Sequence, residues 1–185
     1  RRAELRDRNE MYVSLEESVR EVERWGRRLF EKGPEDEDFL RVFLGRGRVE
    51  SADPVTYSCQ EFADLQDPLA SVPAQVAQSF RYIDNAPVFA DLRASRTVGV
   101  AGPGEMRRQM LKNMALDIGI RHFYKDVKMA FILEESTASA LAWVRWLPHV
   151  ENERLGLRNI ACDEESLGLV LEDLYTTLSA RQKEG

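Results

Sequence analysis

The stretch at residues 96–114 reads RTVGVAGPGEMRRQMLKNM and combines three features in a fixed order. A short β-branched and apolar run at residues 97–100 predicts a strand, and Gly102-Pro103-Gly104 predicts a tight turn. Apolar residues then recur at helical spacing, which predicts a helix running to about His122. Nucleotide-binding α/β domains use this order to present a helix N-terminus to a phosphate, because the first-turn N–H groups lack intrahelical partners.

The turn departs from both common phosphate-binding motifs. A P-loop needs G-x-x-x-x-G-K-[ST], and counting from Gly102 places Arg107, Arg108 and Gln109 at its last three positions. A dinucleotide fingerprint, G-x-G-x-x-G, fails at Arg107 as well. Two interpretations stay open: an ordinary βα turn, or a loop that still receives an anion. The candidate nucleotide-binding residues are Gly102, Pro103, Gly104, Glu105, Met106, Arg107, Arg108 and Gln109.

Residues 1–32 predict one long amphipathic N-terminal helix. Apolar side chains recur every three or four residues, while charged residues fill the other faces. The apolar stripe comprises Tyr12, Leu15, Val19, Val22 and Leu29. Gly33-Pro34 ends the pattern. This helix either packs on its own domain or a partner helix, or forms a stalk leading out of the protein.

The middle of the chain predicts several short elements. Residues 39–44 predict a strand ended by Gly45-x-Gly47, and residues 56–57 a shorter one. Helix starts are predicted at Asp67-Pro68 and at Pro73, and a turn at residues 84–87. We expect the strand at residues 88–92 to pair as a hairpin with residues 98–100.

Residues 127–133 are nearly all apolar, which is typical of a strand covered on both faces in a parallel sheet. The strand ends in Glu134-Glu135, which is either the polar start of a loop or a metal-binding pair. After it we expect a short helix at residues 136–144 and a short strand at residues 159–162. The last helix is capped by Asp163 and ends at residues 179–181.

Several conspicuous residues have structural explanations. His122 and His149 lack a Cys, Asp or Glu at triad or metal-ligand spacing. The acidic run at residues 35–38 lacks the spaced ligands of a cation loop, so it predicts a solvated turn. Trp143 and Trp146 are three residues apart on one helical face, which packing would explain.

Composition narrows the function classes. The 185 residues, 43% of them hydrophobic, suffice for one sizeable domain, and no apolar run approaches the length of a membrane span. A net charge of −6 argues against a general nucleic-acid binder. Cys59 and Cys162 fit a reducing compartment. The start at Arg1-Arg2, without Met, suggests a fragment of a longer protein.

Residues 25–181 resemble the juxtamembrane cytoplasmic region of the FtsK/SpoIIIE-type ATPases of type VII secretion systems, the EssC/EccC family. The run at residues 35–47, EDEDFLRVFLGRG, is similar to the family's D-x-D-F-L-x-x-R-L-G-x-G. The run at residues 143–149, WVRWLPH, is similar to the family's W-x-x-W-L-P-H. Asn85-Ala86-Pro87-Val88 and Val98-Gly99-Val100-Ala101-Gly102 extend the resemblance.

The resemblance implies an α/β fold with a mostly parallel sheet flanked by helices, a degenerate relative of P-loop NTPases. It divides the chain into a stalk helix at residues 1–33 and a degenerate FtsK-like domain at residues 34–185. The parent protein would be a membrane-anchored motor on the cytoplasmic face of the cell membrane. Transmembrane helices would precede this piece and ATPase modules would follow it.

The same resemblance implies the partners. Other subunits of the secretion complex would surround a hexameric pore, and small helical proteins would be exported through the parent protein. Membrane contact would come only through upstream segments.

The departures from an active ATPase predict that this piece is not catalytic. Arg108 replaces the P-loop Lys, Gln109 replaces the Mg²⁺-binding hydroxyl, and Glu134 and Glu135 are doubtful stand-ins for a Walker B pair. No cofactor is therefore assigned, although ATP or ADP could still contact Arg107 or Arg108. Three functions follow: a non-catalytic coupling domain, a nucleotide-binding regulatory domain, or a DNA translocase module, which the acidic charge disfavours.

Overall fold

The longest paired strands form an antiparallel hairpin in the computed structural model, which describes residues 1–58, 69 and 71–184. Strand β1 (Arg41–Glu50) pairs with β2 (Tyr82–Asp91). Val42, Ile83 and Ala86 are buried, so the hairpin contributes directly to the core. The strand predicted to begin at Phe39 is confirmed from Arg41 onward, but it continues through Gly45 and Gly47, where the sequence had predicted its end.

The hairpin predicted between residues 88–92 and 98–100 is wrong. The partner of β2 is β1, and the turn predicted at residues 84–87 lies inside β2. After β2 the chain forms a short helix, α4 (Leu92–Ser95), because the Asp91 side chain accepts a hydrogen bond from Ala94 N at 2.8 Å. Residues 97–100 form no strand.

The single N-terminal helix is also wrong, because residues 1–32 contain two helices. Helix α1 (Arg2–Glu10) ends before residues 11–14, and α2 (Leu15–Arg24) begins after Ser14. Ser14 Oγ accepts from Glu17 N at 3.2 Å, and Glu17 Oε2 accepts from Ser14 N at 3.0 Å. This capping box starts a new helix and frees Tyr12 to pack on Phe43 with ring centroids 4.4 Å apart.

Helix α1 lies against the hairpin. Ser51 Oγ donates to Glu4 Oε2 at 2.9 Å, and Arg46 Nη2 donates to Asn9 Oδ1 at 2.7 Å. Arg1 Nη1 donates to Ser79 O at 3.2 Å. Of the two interpretations of the N-terminal helix, α1 therefore follows the one in which it packs on its own domain. The proposed division of the chain after residue 33 stays a prediction.

The segment between β1 and β2 contains α3 (Val72–Phe80), which confirms the helix predicted from Pro73. The short strand predicted at residues 56–57 is absent. The helix start predicted at Asp67-Pro68 lies outside the described residues.

Helix α5 (Gly104–Arg121) confirms the long helix that follows the glycine turn. The strand predicted at residues 127–133 is reduced to β3 (Phe131–Ile132). Its partner is β6 (Ile160–Ala161), and the pair is parallel. Exposure alternates along residues 127–133, and Ile132 is largely exposed, so this strand is not covered on both faces.

The helix predicted at residues 136–144 is divided into α6 (Glu135–Ala138) and a 3₁₀ helix (Ala142–Trp146), and a second 3₁₀ turn (Pro148–Val150) follows. Trp146 is 76% exposed and stacks against the Arg158 guanidinium at 5.7 Å, so packing in the core does not explain it.

A short antiparallel pair, β4 (Glu151–Asn152) and β5 (Leu157–Arg158), leads to the last helix, α7 (Glu164–Glu184). Asp163 caps α7 as predicted, since Asp163 Oδ1 accepts from Ser166 N at 2.8 Å. The helix runs beyond its predicted end at residues 179–181.

The chain is a mixed α/β structure, as predicted, but not with a mostly parallel sheet. Among the described residues there are three two-stranded sheets, β1-β2, β3-β6 and β4-β5, and β3-β6 alone is parallel. A P-loop NTPase-like sheet is therefore not observed in this part of the chain. Within the same residues, no helix has both the length and the apolar character needed to cross a bilayer.

Candidate functional site

The candidate nucleotide-binding residues lie at the exposed N-terminus of α5. Gly102 and Pro103 precede the helix, and Gly104 to Gln109 form its first turns. The first intrahelical hydrogen bond runs from Arg107 N to Pro103 O at 3.0 Å. The backbone N–H groups of residues 104–106 therefore have no acceptor within the helix. Free amides and the helix dipole favour an anion at this end.

The surroundings weaken this site. Glu105 lies in the first turn, and its carboxylate accepts from Arg108 Nη2 at 2.7 Å, so one of the two arginines is already paired. Within the described part of the chain, Arg107 makes no ion pair. Since no strand precedes the turn, the strand–turn–helix geometry of a phosphate loop is not formed here. The anion-binding role of residues 102–109 stays a prediction.

A row of polar side chains continues from this turn along α5 and faces β1. Gln109 Nε2 donates to Asn113 Oδ1 at 3.0 Å, and Asn113 Nδ2 donates to Leu44 O at 3.2 Å. Asp117 Oδ2 accepts from Phe43 N at 3.0 Å. The β1-β2 register shifts between Phe43 and Gly45, so these side chains satisfy strand groups beside the irregularity.

A cleft of about 280 Å³ opens beside this row. Tyr12, Phe43 and Arg46 line it from the N-terminal segment and the hairpin. Asp117 contributes its carboxylate, and burial raises the pKa of that group, although the hydrogen bond from Phe43 N acts in the opposite direction. The cleft therefore has an aromatic wall and carries one cationic side chain, Arg46, and one carboxyl group, Asp117.

The C-terminal end of α5 is tied to the segment before β1. Phe30 N donates to Ile120 O at 2.8 Å, and Lys32 N donates to Arg121 O at 2.9 Å. The buried Arg121 guanidinium pairs with the carboxylate of Glu31. We call these contacts between residues 30–32 and 120–122 the α5 joint.

Lys32 is buried at the α5 joint, yet its charge is compensated. Lys32 Nζ donates to Arg41 O at 2.7 Å and lies 3.2 Å from Asp38 Oδ2. Asp38 belongs to the acidic run at residues 35–38, which otherwise forms turns, as predicted for a solvated segment. Lys32 and Arg121 are thus two buried cations with carboxylate partners. Together they hold in place the segment that leads into β1.

His122 and His149 take the structural positions predicted for them, and both are fully buried. His122 Nε2 accepts from Leu40 N at 3.0 Å, and His149 Nε2 lies 2.9 Å from His122 O. Burial lowers the pKa of His122 to about 4, with the Lys32 charge acting in the same direction. Burial also lowers the pKa of His149. Both imidazoles are therefore neutral near pH 7.

The carboxylates considered as metal ligands do not converge. Glu134 and Glu135 are exposed at the start of α6. Among the described residues, no group of three or more His, Cys, Asp or Glu side chains could hold a metal ion. Glu134 is the N-cap residue of α6 and Glu135 its first residue, so the predicted loop start is in fact the start of a helix.

The α5 joint and the polar row were missed at the level of sequence. Gln109, Asn113 and Asp117 recur every four residues on α5, and this helical polar stripe was a visible signal. The partners Glu31 and Lys32 gave no such signal, because their contacts with Arg121 and Arg41 depend on how distant segments meet.

The chain matches no protein-family model. It is 25% identical over 173 residues to the type VII secretion system protein EssC of Staphylococcus aureus strain MSSA476. EssC of strain NCTC 8325 gives the same identity over the same length. The ESX secretion system protein YukB of Bacillus subtilis strain 168 is 25% identical over 158 residues.

The similarity covers most of this chain and a small part of each relative. The match to EssC spans 94% of the chain but 12% of the EssC sequence. For YukB the shares are 85% and 10%. Over nearly its whole length, this chain is thus related to a limited region of the type VII secretion proteins EssC and YukB. The run at residues 35–47 and the run at residues 146–149, WLPH, had predicted this relation.

Proposed function

We propose that this chain is a non-catalytic coupling domain of a type VII secretion motor. In this proposal it lies on the cytoplasmic face of the cell membrane and transmits force between the membrane part of the parent protein and its ATPase modules. The relation to EssC and YukB supports a role in secretion. The partners are then other subunits of the secretion complex, arranged as a hexamer, and small helical substrates that the parent protein exports.

The α5 joint is the observation that carries the coupling role. Through it the segment that follows α2 is tied to the C-terminal end of a helix whose other end is exposed. A displacement of the N-terminal segment would therefore move α5 as a rigid element. The lack of a P-loop Lys and hydroxyl at Arg108 and Gln109 supports a role without phosphoryl transfer.

Opening the α5 joint in the complete parent protein tests this role. Glu31→Ala leaves the buried Arg121 without its carboxylate, so we expect export of the native substrate to fall while ATP hydrolysis continues. Glu35→Ala, an exposed acid in the neighbouring turn, is the matched control. Thermal unfolding verifies that both variants are folded. Normal export by folded Glu31→Ala protein would refute the coupling role.

A second candidate is a nucleotide-binding regulatory domain, favoured by Arg107 beside the free first-turn amides of α5. Titration calorimetry with ATP and ADP, with and without Mg²⁺, tests it. Mg²⁺-insensitive micromolar binding that is lost in Arg107→Ala/Arg108→Ala but kept in Arg93→Ala would support it. Equal binding by all three proteins, or none at millimolar nucleotide, would leave the α5 turn as scaffold.

A further inference from the structure

An apolar stripe runs along a side of α7 that the described residues of the chain leave uncovered. Leu171, Tyr175 and Leu178 are 47%, 75% and 59% exposed. Their spacing of four and three residues places them on one helical face. Val170 and Asp173, which face the rest of the chain, are buried. An amphipathic surface helix buries one apolar face and presents polar residues to water, so α7 carries an apolar stripe in addition to the face that packs on the described part of the chain.

Gly168 extends this stripe by one turn toward the N-terminus. A Cβ added there would meet no atom within 4 Å, so no contact within the described chain requires a glycine. Glycine within a helix costs about 1 kcal/mol relative to alanine. Close approach of another helix backbone is the usual reason to keep a glycine at such a position.

The spacing of the stripe is symmetric about Asp173. Gly168 and Leu178 lie five residues on either side, and Leu171 and Tyr175 lie two residues on either side. We propose that α7 pairs antiparallel with α7 of a second copy of this chain, about a two-fold axis that crosses the helix pair at the level of Asp173. Leu171 then packs on Tyr175 of the other copy, and Leu178 fills the open space above Gly168.

The charges of α7 fit this antiparallel arrangement. The first turn carries Glu164 and Glu165, and the last turn carries Arg181 and Lys183. Antiparallel pairing brings the acidic end of each helix beside the basic end of the other and aligns the two helix dipoles favourably. At about 100° per residue, Glu165 and Lys183 lie on the same flank of the stripe, where they face each other across the pair.

One contact opposes the pairing. Glu172 of the two copies lies near the two-fold axis, so two like charges approach each other. The dimer is therefore weak, and removal of this charge strengthens it. A two-fold contact of this kind closes on itself and differs from the head-to-tail contacts that build a ring. The inference therefore goes beyond the proposed coupling role and does not depend on it.

Sedimentation velocity of this 185-residue chain, from micromolar to sub-millimolar concentration, tests the pairing. We expect a monomer–dimer equilibrium in which Tyr175→Glu raises the dimer dissociation constant by at least about tenfold. Leu169→Glu is the matched control, because Leu169 is an exposed leucine of the same helix about 140° around from the stripe. Circular dichroism at low concentration verifies that each variant is folded.

The register is tested separately. Glu172→Gln is expected to lower the dissociation constant several-fold. In a background with Cys59 and Cys162 changed to Ser, an oxidised mixture of Leu171→Cys and Tyr175→Cys chains should give mainly the mixed disulfide, which a size tag on one chain reveals. A monomer at every concentration would overturn the proposal, since the stripe would then serve another partner. The proposal would also be overturned if Leu169→Glu weakened the dimer as much as Tyr175→Glu, or if Glu172→Gln did not lower the dissociation constant. Formation of mainly homodisulfides would overturn it as well.

Discussion

His149 Nε2 lies 2.9 Å from the main-chain carbonyl oxygen of His122. Because a carbonyl can only accept, Nε2 is the nitrogen of His149 that carries the proton. His122 Nε2 accepts from Leu40 N, so in His122 the proton sits on Nδ1 instead. The two rings thus connect the end of α5, the WLPH run and the turn before β1, and their tautomers are fixed by these bonds.

Acid should destabilise the fold through His122. Its pKa is about 4 in the folded chain against 6.5 when unperturbed, so the unfolded chain binds more protons between these values. The free energy of unfolding is therefore expected to fall by roughly 3 kcal/mol as the pH drops from about 6.5 to 4. Urea unfolding at a series of pH values measures this slope.

The His122→Gln variant separates the contribution of His122 to this pH dependence from the contributions of the other titrating groups. The glutamine oxygen can still accept from Leu40 N, but it does not titrate. The slope should become shallower in this variant, with a remainder from His149, whose pKa burial also lowers. An unchanged slope would mean that His122 is not protonated on unfolding in this range.

The ionisation of Asp117 should change stability with pH in the opposite direction to that of His122. Burial raises the pKa of Asp117, so the folded chain binds this proton more tightly than the unfolded chain does, and ionisation of the carboxyl lowers the free energy of unfolding at pH 7. Asp117→Asn keeps an oxygen for Phe43 N without the charge and is expected to stabilise the fold at pH 7. Asp117→Leu leaves Phe43 N without its acceptor and should cost about 1–3 kcal/mol.

Chemical denaturation at pH 7 and at pH 4 distinguishes these effects. The stabilisation by Asp117→Asn should shrink at pH 4, where the native carboxyl is closer to protonated. If Asp117→Asn were as damaging as Asp117→Leu, the carboxylate charge itself, through Lys32 and Arg121, would outweigh its burial.

The sequence predicted the elements whose signals are local. The α5 helix, the Asp163 cap and the strand at residues 39–44 all follow from periodicity or capping within a few residues. The break at residues 11–14 was equally local, since Ser14-x-x-Glu17 is a capping box, but the longer apolar stripe obscured it.

Strand pairing could not be predicted in the same way. β1 and β2 are separated by more than thirty residues, and their register depends on the irregularity at Phe43 that α5 side chains satisfy. Residues 127–133 looked like a buried parallel strand because apolar composition does not reveal how many neighbours a strand has. Of the candidate site, sequence located the exposed turn at residues 102–109, whereas the α5 joint emerged only from the fold.

Asp173 holds the β4-β5 pair against α7. The buried Asp173 carboxylate accepts from Asn152 Nδ2 at 2.6 Å and pairs with the Arg154 guanidinium. Asp173→Ala leaves the buried amide without this acceptor, so we expect a loss of about 3 kcal/mol in the free energy of unfolding. Glu172→Ala, an exposed neighbour, should change it by less than about 0.5 kcal/mol. Denaturant unfolding at low protein concentration measures both, and similar losses would argue against the Asp173 network.

Leu147 of the WLPH run packs over Gly119 of α5. This contact predicts that the effect of Gly119→Ala on the free energy of unfolding changes sign when Leu147 is replaced by Ala. A Cβ at Gly119 would lie 3.0 Å from Leu147 Cδ2, and its other close neighbours are atoms of the same side chain. Alanine in place of glycine gains about 1 kcal/mol of helix propensity, whereas overpacking costs about 1–3 kcal/mol. Gly119→Ala should therefore destabilise the native chain slightly but stabilise the Leu147→Ala variant by about 1 kcal/mol. Urea unfolding of the four proteins gives the coupling energy directly. Stabilisation by Gly119→Ala in both backgrounds would mean that Leu147 turns aside freely, and the WLPH run would then not be fixed against α5 at this point.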